Sequence, residues 1–232
     1  NSLLFAVPAS LLILIRGEFL LTYILTLIYI FILSKKFKYL FLSFVISLMI
    51  VSPYILRNYT IVNKVVITES FGFNLWKGNN LLSKVEGNDK IYIEEMEKNY
   101  ENLKLDNTYD IKMDKIYKDE AIKNISAEPF RYLNLYVKKF FSFMFFDLDS
   151  SRANYFNPFH IIPKIVLSLL TLFGLIYLLR HKNSELNYFA FFYLYNIALF
   201  SIFFILPRYS LMLLPVQIVL TCFLIQKLKP NI

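Results

Sequence analysis

Cysteine, histidine and glycine are scarce in this chain of 232 residues, and each scarcity excludes a kind of chemistry. The one cysteine, Cys222, cannot form an intrachain disulfide. The two histidines, His160 and His181, stand in different segments and cannot form a cluster of metal ligands. The five glycines form neither a dinucleotide-binding pattern nor a P-loop. No nucleotide and no cofactor is therefore implied, and a divalent metal, although compatible, would find no ligand cluster.

Apolar residues are abundant instead, at 57% of the chain with a mean hydropathy of +0.50. This composition is typical of an integral membrane protein. Most of the apolar runs approach the 17–25 residues that a transmembrane helix needs; they are 2–15, 19–34, 39–56, 161–179, 186–206 and 209–226. We expect an all-α polytopic membrane protein with about six transmembrane helices, the first truncated. Since residue 1 is Asn and the first run starts mid-helix, we also expect the C-terminal part of a longer protein.

The net charge of +8 lies in the apolar part of the chain. The polar segment 57–160 carries 15 basic and 15 acidic residues, so the basic excess does not indicate a nucleic-acid partner. The excess lies in short connections that the positive-inside rule assigns to the cytoplasm; these hold Lys35, Lys36, Lys38, Arg180, Lys182, Lys227 and Lys229. Alternation of the spans then places Arg16, segment 57–160 and Arg208 on the opposite side.

The predicted organisation has three parts: transmembrane helices in 1–56, an extracytoplasmic segment 57–160, and transmembrane helices with a cytoplasmic tail in 161–232. Apolar spacing in the middle part predicts a helix over 108–125 and a second helix after Pro129. The second helix is basic and aromatic, and it either rests in the membrane interface or packs on the protein. Residues 68–80 contain Gly72, Gly78 and several asparagines, and we expect a surface loop there. We expect an inner or plasma membrane location.

Three arginines, Arg16, Arg57 and Arg208, stand at the ends of apolar runs. A guanidinium at the lipid boundary is costly unless an anion meets it, which suggests a lipid phosphate as the ligand. Arginines at helix ends also reach water without any ligand, so a purely structural role is the alternative. Glu18 follows Arg16 closely and is its simplest ion-pair partner.

Several short motifs resemble one family of membrane enzymes. They are SPYILRNY at 52–59, GFNLWKGNN at 72–80, AIKNI at 121–125 leading to PFRY at 129–132, and PRYSL at 207–211 leading to Pro215. Together they resemble the C-terminal half of GT-C-fold glycosyltransferases of the dolichyl-phosphate-mannose–protein mannosyltransferase and aminoarabinose transferase kind. The resemblance covers most of the chain in short pieces.

This resemblance implies transfer of a sugar from a polyprenyl-phosphate donor to a protein, lipid or glycan acceptor on the extracytoplasmic side. Arg57 and Arg208, with Arg16, are the candidates for the donor phosphate. Asn58, Tyr209, Trp76, Asn79 and Asn80 are the candidates for other substrate contacts, because flat rings and amides suit polar, uncharged groups. The family's general base lies in an outer loop near the N-terminus. We therefore expect it upstream of residue 1, and the present chain alone to be inactive.

Two other functions fit part of the pattern. An envelope polysaccharide polymerase or ligase also has many spans, a large outer loop and outer arginines. A non-enzymatic transporter is less well matched, because transporters usually show internal repeats and polar residues at mid-membrane. Here the interiors of the apolar runs are nearly free of charge.

Overall fold

A computed structural model of the chain describes residues 2–68, 70–89, 101, 103, 105–150, 152–180 and 184–228. Within these ranges every regular element is helical, which confirms the all-α class. The α-helices are α1 Ser2–Ile15, α2 Phe19–Ser34, α3 Phe37–Val62, α4 Phe71–Gly78, α5 Tyr109–Ala127, α6 Pro129–Met144, α7 Pro158–Arg180, α8 Ser184–Ser201 and α9 Ser210–Leu228. A 3₁₀ turn, Pro207–Tyr209, precedes α9. Glu69, His181, Lys182 and Lys229 lie outside the described residues.

Within the part of the chain that the structure describes, three helices are long and apolar enough to cross a membrane. They cover Phe37–Val62, Pro158–Leu178 and Pro207–Leu228, with 26, 21 and 22 residues. The helices α1 and α2 are apolar but shorter, with 14 and 16 residues. The chain therefore has the character of a membrane protein, while the count of six spans and their sidedness stay predictions.

The helix bounds correct the predicted runs at two places. The helix α3 continues past Arg57 to Val62 and ends at Asn63, whose left-handed φ of 54° is typical of a helix C-terminus. The helix α8 ends at Ser201, although the apolar run extends to residue 206. Pro207 ends that run and cannot donate a backbone hydrogen bond to a continuing helix. Arg57 thus lies inside the last turns of a helix rather than at its end.

The chain divides into two compact units. Unit 1 consists of the described residues of Asn1–Phe71 and Lys98–Lys115, and unit 2 of those of Gly72–Glu97 and Ile116–Ile232. In unit 1, Ile13, Tyr23 and Val51 form a small apolar core. The Ser47 hydroxyl donates to the Tyr23 hydroxyl at 2.8 Å beside this core. This division differs from the predicted three parts, which were defined by membrane location and stay a prediction.

Unit 2 has the larger core, which lies between α6, α7, α8 and α9. Its fully buried members include Tyr193 and Ile197 of α8 and Leu220 of α9. Helices α7 and α9 approach closely at Gly174, where a Cβ atom would come within 2.8 Å of the Leu220 carbonyl oxygen. Because only glycine leaves room for this contact, the two helices are fixed side by side.

A buried lysine joins three elements of unit 2. The Lys139 ammonium of α6 donates to the carbonyl oxygens of Gly78 at 2.8 Å and Phe203 at 2.5 Å, and to Asn79 Oδ1 at 3.2 Å. Gly78 is the last residue of α4, and Phe203 lies two residues after the end of α8. Unpaired carbonyl groups and the helix dipole favour a cation at such helix ends. This junction fixes the segment 202–206, which leads directly to Arg208.

The two helices predicted in the middle of the chain are confirmed as α5 and α6. Pro129 stands in the first turn of α6 as expected. One face of α6 is buried in unit 2 through Tyr132, Leu135, Lys139 and Phe143. Packing on the protein therefore accounts for that face, although a second apolar face of the same helix is exposed.

Candidate functional site

A cleft of about 440 Å³ opens in unit 2 where α7 begins and the Pro207–Tyr209 turn leads into α9. We call it the basic cleft because the basic residues Arg152, His160 and Arg208 line it. Ala153, Asn154, Tyr155, Leu206 and Pro207 complete the lining. Its volume falls in the range of about 300–1,000 Å³ that is usual for small-molecule sites.

Local structure holds Arg208 at the rim of the basic cleft. The Tyr209 N–H donates to the Leu206 carbonyl at 2.9 Å, and the Ser210 hydroxyl donates to the Pro207 carbonyl at 2.7 Å. The Tyr209 ring packs against Phe200 and Phe204, with ring centroids 5.7 and 6.0 Å away. The guanidinium of Arg208 lies 5.9 Å from the centre of the Tyr209 ring and is exposed. It makes no ion pair with any described residue, so it is available to an anion.

Arg152 is held by a carboxylate. Its Nε donates to Glu86 Oε2 at 3.0 Å, and Glu86 Oε1 accepts a hydrogen bond of 2.6 Å from Ser150. The side chain of Glu86 is 16% exposed and that of Arg152 is 49% exposed. Glu86 therefore positions the arginine while the terminal guanidinium nitrogens remain accessible from solvent.

A smaller cavity adjoins the basic cleft and shares Tyr155, Leu206 and Pro207 with it. Its polar lining consists of Glu86, Ser142, Asp147, Tyr155, Lys164 and Ser210. The free volume is about 10 Å³, which is the size of a single water-sized probe. This cavity places two carboxyl groups and an ammonium group beside the wall of the basic cleft.

Asp147 is the most buried acid of this small cavity, with 6% of its surface exposed. Burial raises the pKa of its carboxyl, and the negative charge of Glu86 raises it further, against the hydrogen bond from the Asp149 N–H that lowers it. The Asp147 N–H donates to the Tyr155 hydroxyl at 2.7 Å, which fixes the ring between the two cavities. A carboxylate with a raised pKa is a stronger base than an ordinary carboxylate.

Arg208 is the predicted phosphate ligand that lies in the basic cleft. The other two predicted arginines belong to unit 1. Arg57 is exposed and donates to Asn58 Oδ1 at 3.2 Å. Arg16 pairs with Glu18, whose Oε1 lies 2.5 Å from the Arg16 Nη2, so the expected ion pair is confirmed. That all three arginines bind one phosphate stays a prediction.

Asn58 has a structural contact within unit 1. Its Nδ2 donates to the Val66 carbonyl oxygen at 2.9 Å and ties the following segment back to α3. Tyr209, in unit 2, packs on the core by its ring. The contacts of both residues with substrate stay predictions, and these packing interactions explain their positions without a ligand.

The predicted surface loop at 68–80 is wrong for most of its length. Residues Phe71–Gly78 form α4, and Trp76 is only 2% exposed. The Trp76 ring lies 4.9 Å from the ring of Tyr117 and 6.2 Å from that of Phe73. Its indole is therefore enclosed by aromatic side chains and presents no open face for a sugar.

Asn79 and Asn80 are also buried, with 5% and 0% of their surfaces exposed. The Asn79 Nδ2 donates to the carbonyls of Leu75 and Ile202, both at 2.8 Å, and its Oδ1 accepts from Lys139. The Asn80 side chain donates to the Asn88 carbonyl and accepts from the Leu82 N–H. Their amides bond to backbone groups and to Lys139, which explains their positions without a ligand, and their contact with a substrate stays a prediction.

Several residues of the site were missed in the sequence. The run DLDSSR at 147–152 places acids and an arginine directly after an aromatic stretch, and this abrupt change of polarity was an available signal for Asp147 and Arg152. Glu86 is 66 positions from Arg152 and lies in an ordinary polar segment. Lys139 resembles its exposed neighbour Lys138, so neither Glu86 nor Lys139 had a recognisable pattern.

Comparison with known proteins finds no match: no family model, no curated protein and no solved structure matches the chain.

Proposed function

We propose that this protein is a membrane glycosyltransferase that moves a sugar from a polyprenyl-phosphate donor to an acceptor outside the cytoplasm. The observation that carries the proposal is the position of the basic cleft. It lies at the beginning of two membrane-length helices, α7 and α9, and Arg208 at its rim has no ion pair among the described residues. A lipid phosphate matches this arrangement, because its charge lies at the membrane boundary, where an arginine can bind it, and its hydrocarbon chain extends into the bilayer beside the helices.

Two arginines of the basic cleft suit the phosphate in particular. Guanidinium groups bind phosphate oxygens through paired, charge-assisted hydrogen bonds. When the sugar is transferred, the bond from its anomeric carbon to the phosphate oxygen breaks and negative charge grows on that oxygen. Arg208 and Arg152 stabilise this charge, and such preorganised stabilisation is a large term in catalysis.

The reaction also needs a proton acceptor. As the acceptor oxygen bonds to the anomeric carbon, its proton passes to a carboxylate. Among the described residues, Asp147 is the buried carboxyl beside the basic cleft. The volume of the cleft accommodates a sugar phosphate, and the adjoining small cavity accommodates no more than a single water-sized group.

Transfer assays on the full-length protein in liposomes test this function. The assay measures the release of polyprenyl phosphate from a panel of polyprenyl-phosphate sugars. Arg208→Gln should lower kcat/KM by about 10- to 100-fold, the loss expected for a hydrogen bond to a charged group. Arg180→Gln, at the opposite end of α7, is the matched control and should retain full activity. Turnover of every donor by Arg208→Gln at the wild-type rate would refute the proposal.

A further inference from the structure

Helix α6 has an exposed apolar stripe in addition to its buried face. The stripe consists of Phe130, Leu133, Val137 and Phe141, which are 86%, 59%, 42% and 55% exposed. At about 100° per residue these four side chains fall within an arc of about 80°. The buried residues Leu135, Lys139 and Phe143 lie on roughly the opposite side of the helix. Unit 2 therefore covers one face of α6 and leaves a second apolar face uncovered.

Basic side chains border the exposed stripe on one side. Lys138 is exposed and lies about 100° from the middle of the stripe, and Arg131 follows on the same side of the helix. Arg131 donates to the Leu81 carbonyl oxygen and pairs with Glu128 at 3.4 Å. An apolar face bordered by basic residues is the pattern of helices that lie in the interface between lipid headgroups and acyl chains.

The C-terminal end of α6 contacts α7 inside the membrane-length segment Pro158–Leu178. Ser168 lies in this segment, and its hydroxyl donates to the Met144 carbonyl of α6 at 2.5 Å. Met144 is the last residue of α6. Helix α6 therefore ends against a helix that is long and apolar enough to cross a membrane.

Helix α6 does not itself span the membrane. Its 16 residues are about 24 Å long, less than the ~30 Å of a hydrocarbon core, and it contains the buried Lys139. We propose that α6 is an interfacial helix whose Phe130–Phe141 stripe binds the lipid surface at the boundary of headgroups and acyl chains. The loop after α6 carries Asp147, Arg152 and Tyr155, so this attachment holds the wall of the basic cleft at the headgroup level. This proposal depends on the packing of unit 2 and is independent of the reaction that the basic cleft supports.

Spin labels on the full-length protein test this assignment. In a Cys222→Ser background, Leu133→Cys and Val137→Cys carry the label on the stripe, and Lys118→Cys carries it on the exposed polar side of α5 as the matched control. The protein is reconstituted in bilayers of phosphatidylcholine and phosphatidylglycerol. Collision rates are then measured with oxygen, which partitions into lipid, and with a neutral nickel chelate, which stays in water.

Both stripe labels should collide more with oxygen than with the nickel chelate, and the control label should show the reverse. Nickel collisions at Leu133→Cys equal to those of the control would mean that the stripe faces water, and would overturn the proposal. Exclusion of both reagents would mean that another protein segment or a second copy covers the stripe, with the same consequence. Phe141→Cys replaces any stripe variant that does not fold and is judged by the same outcomes.

Discussion

The free energy of unfolding should increase with pH because of Lys139, and the substitution Lys139→Met should remove this increase. Its side chain is 0% exposed and its ammonium has three oxygen acceptors. Burial lowers the pKa of Lys139 from 10.5 to about 7. In the unfolded chain the same group keeps its ordinary value. The two states therefore bind different numbers of protons between about pH 7 and 10.5.

The sign of the effect follows from this difference. Between the two pKa values the unfolded chain binds one more proton than the folded protein, so the free energy of unfolding increases with pH. The maximum slope is about 1.4 kcal/mol per pH unit, which gives an upper bound of about 5 kcal/mol over the interval. The three acceptors favour the ammonium form and reduce the rise below this bound. Below about pH 7 both states are protonated and the contribution is constant.

Unfolding of the reconstituted protein at pH 7, 8, 9 and 10 measures the effect. Wild type should become more stable relative to Lys139→Met as the pH rises, since methionine has similar length and no proton to exchange. Lys138→Met is the matched control, because Lys138 is exposed and adjacent, and it should keep the wild-type pH profile. Parallel profiles for wild type and Lys139→Met would refute the reasoning.

Three further substitutions test individual contacts. Gly78→Ala should prevent folding of unit 2, because the added Cβ would lie 1.8 Å from the Phe203 carbonyl oxygen. Gly17→Ala is the control and should fold, because the nearest atoms to its added Cβ belong to the Thr68 and Ile67 side chains. Resistance to protease measures the folding of both variants. Trp76→Ala should destabilise unit 2 by about 3–5 kcal/mol, as for other large buried side chains. In the folded fraction, the KM for the donor should not change. A raised KM in a variant of full stability would support the predicted contact of Trp76 with the sugar. Glu86→Gln should remove a negative charge from beside Arg152 and so tighten the binding of inorganic phosphate, measured by ³¹P NMR. Weaker binding would show that the Glu86 carboxylate supports the anion site.

The helices were the most predictable part of the molecule, because apolar runs of membrane length have few alternatives to helix. Helix α2 coincides with its predicted run, 19–34, and Pro129 marked the start of α6. Helix α4 was missed because its two glycines and Asn74, with the two asparagines that follow it, indicate turns, while the tertiary burial of Leu75 and Trp76 favours the helix. Long-range packing overrides local preference most easily in such short segments.

The candidate site was only partly predictable for a related reason. Arg208 stands beside a proline at the end of an apolar run and was therefore visible as a boundary residue. The ion pair of Glu86 with Arg152 and the contact of Ser168 with Met144 join residues 66 and 24 positions apart. No local periodicity records such pairs. Lys139 also differs from Lys138 only through the helix face that unit 2 happens to cover.

Binding of polyprenyl phosphate to the purified full-length protein tests the central claim most directly. The measurement compares the Kd for polyprenyl phosphate with that for the uncharged polyprenol of the same length, in wild type, Arg208→Gln and Arg180→Gln. Wild type and Arg180→Gln should prefer the phosphate, and Arg208→Gln should lose about 10- to 100-fold of that affinity with little change for polyprenol. Equal affinity of wild type for the two lipids, or an unchanged Kd for the phosphate in Arg208→Gln, would contradict a lipid-phosphate site in the basic cleft.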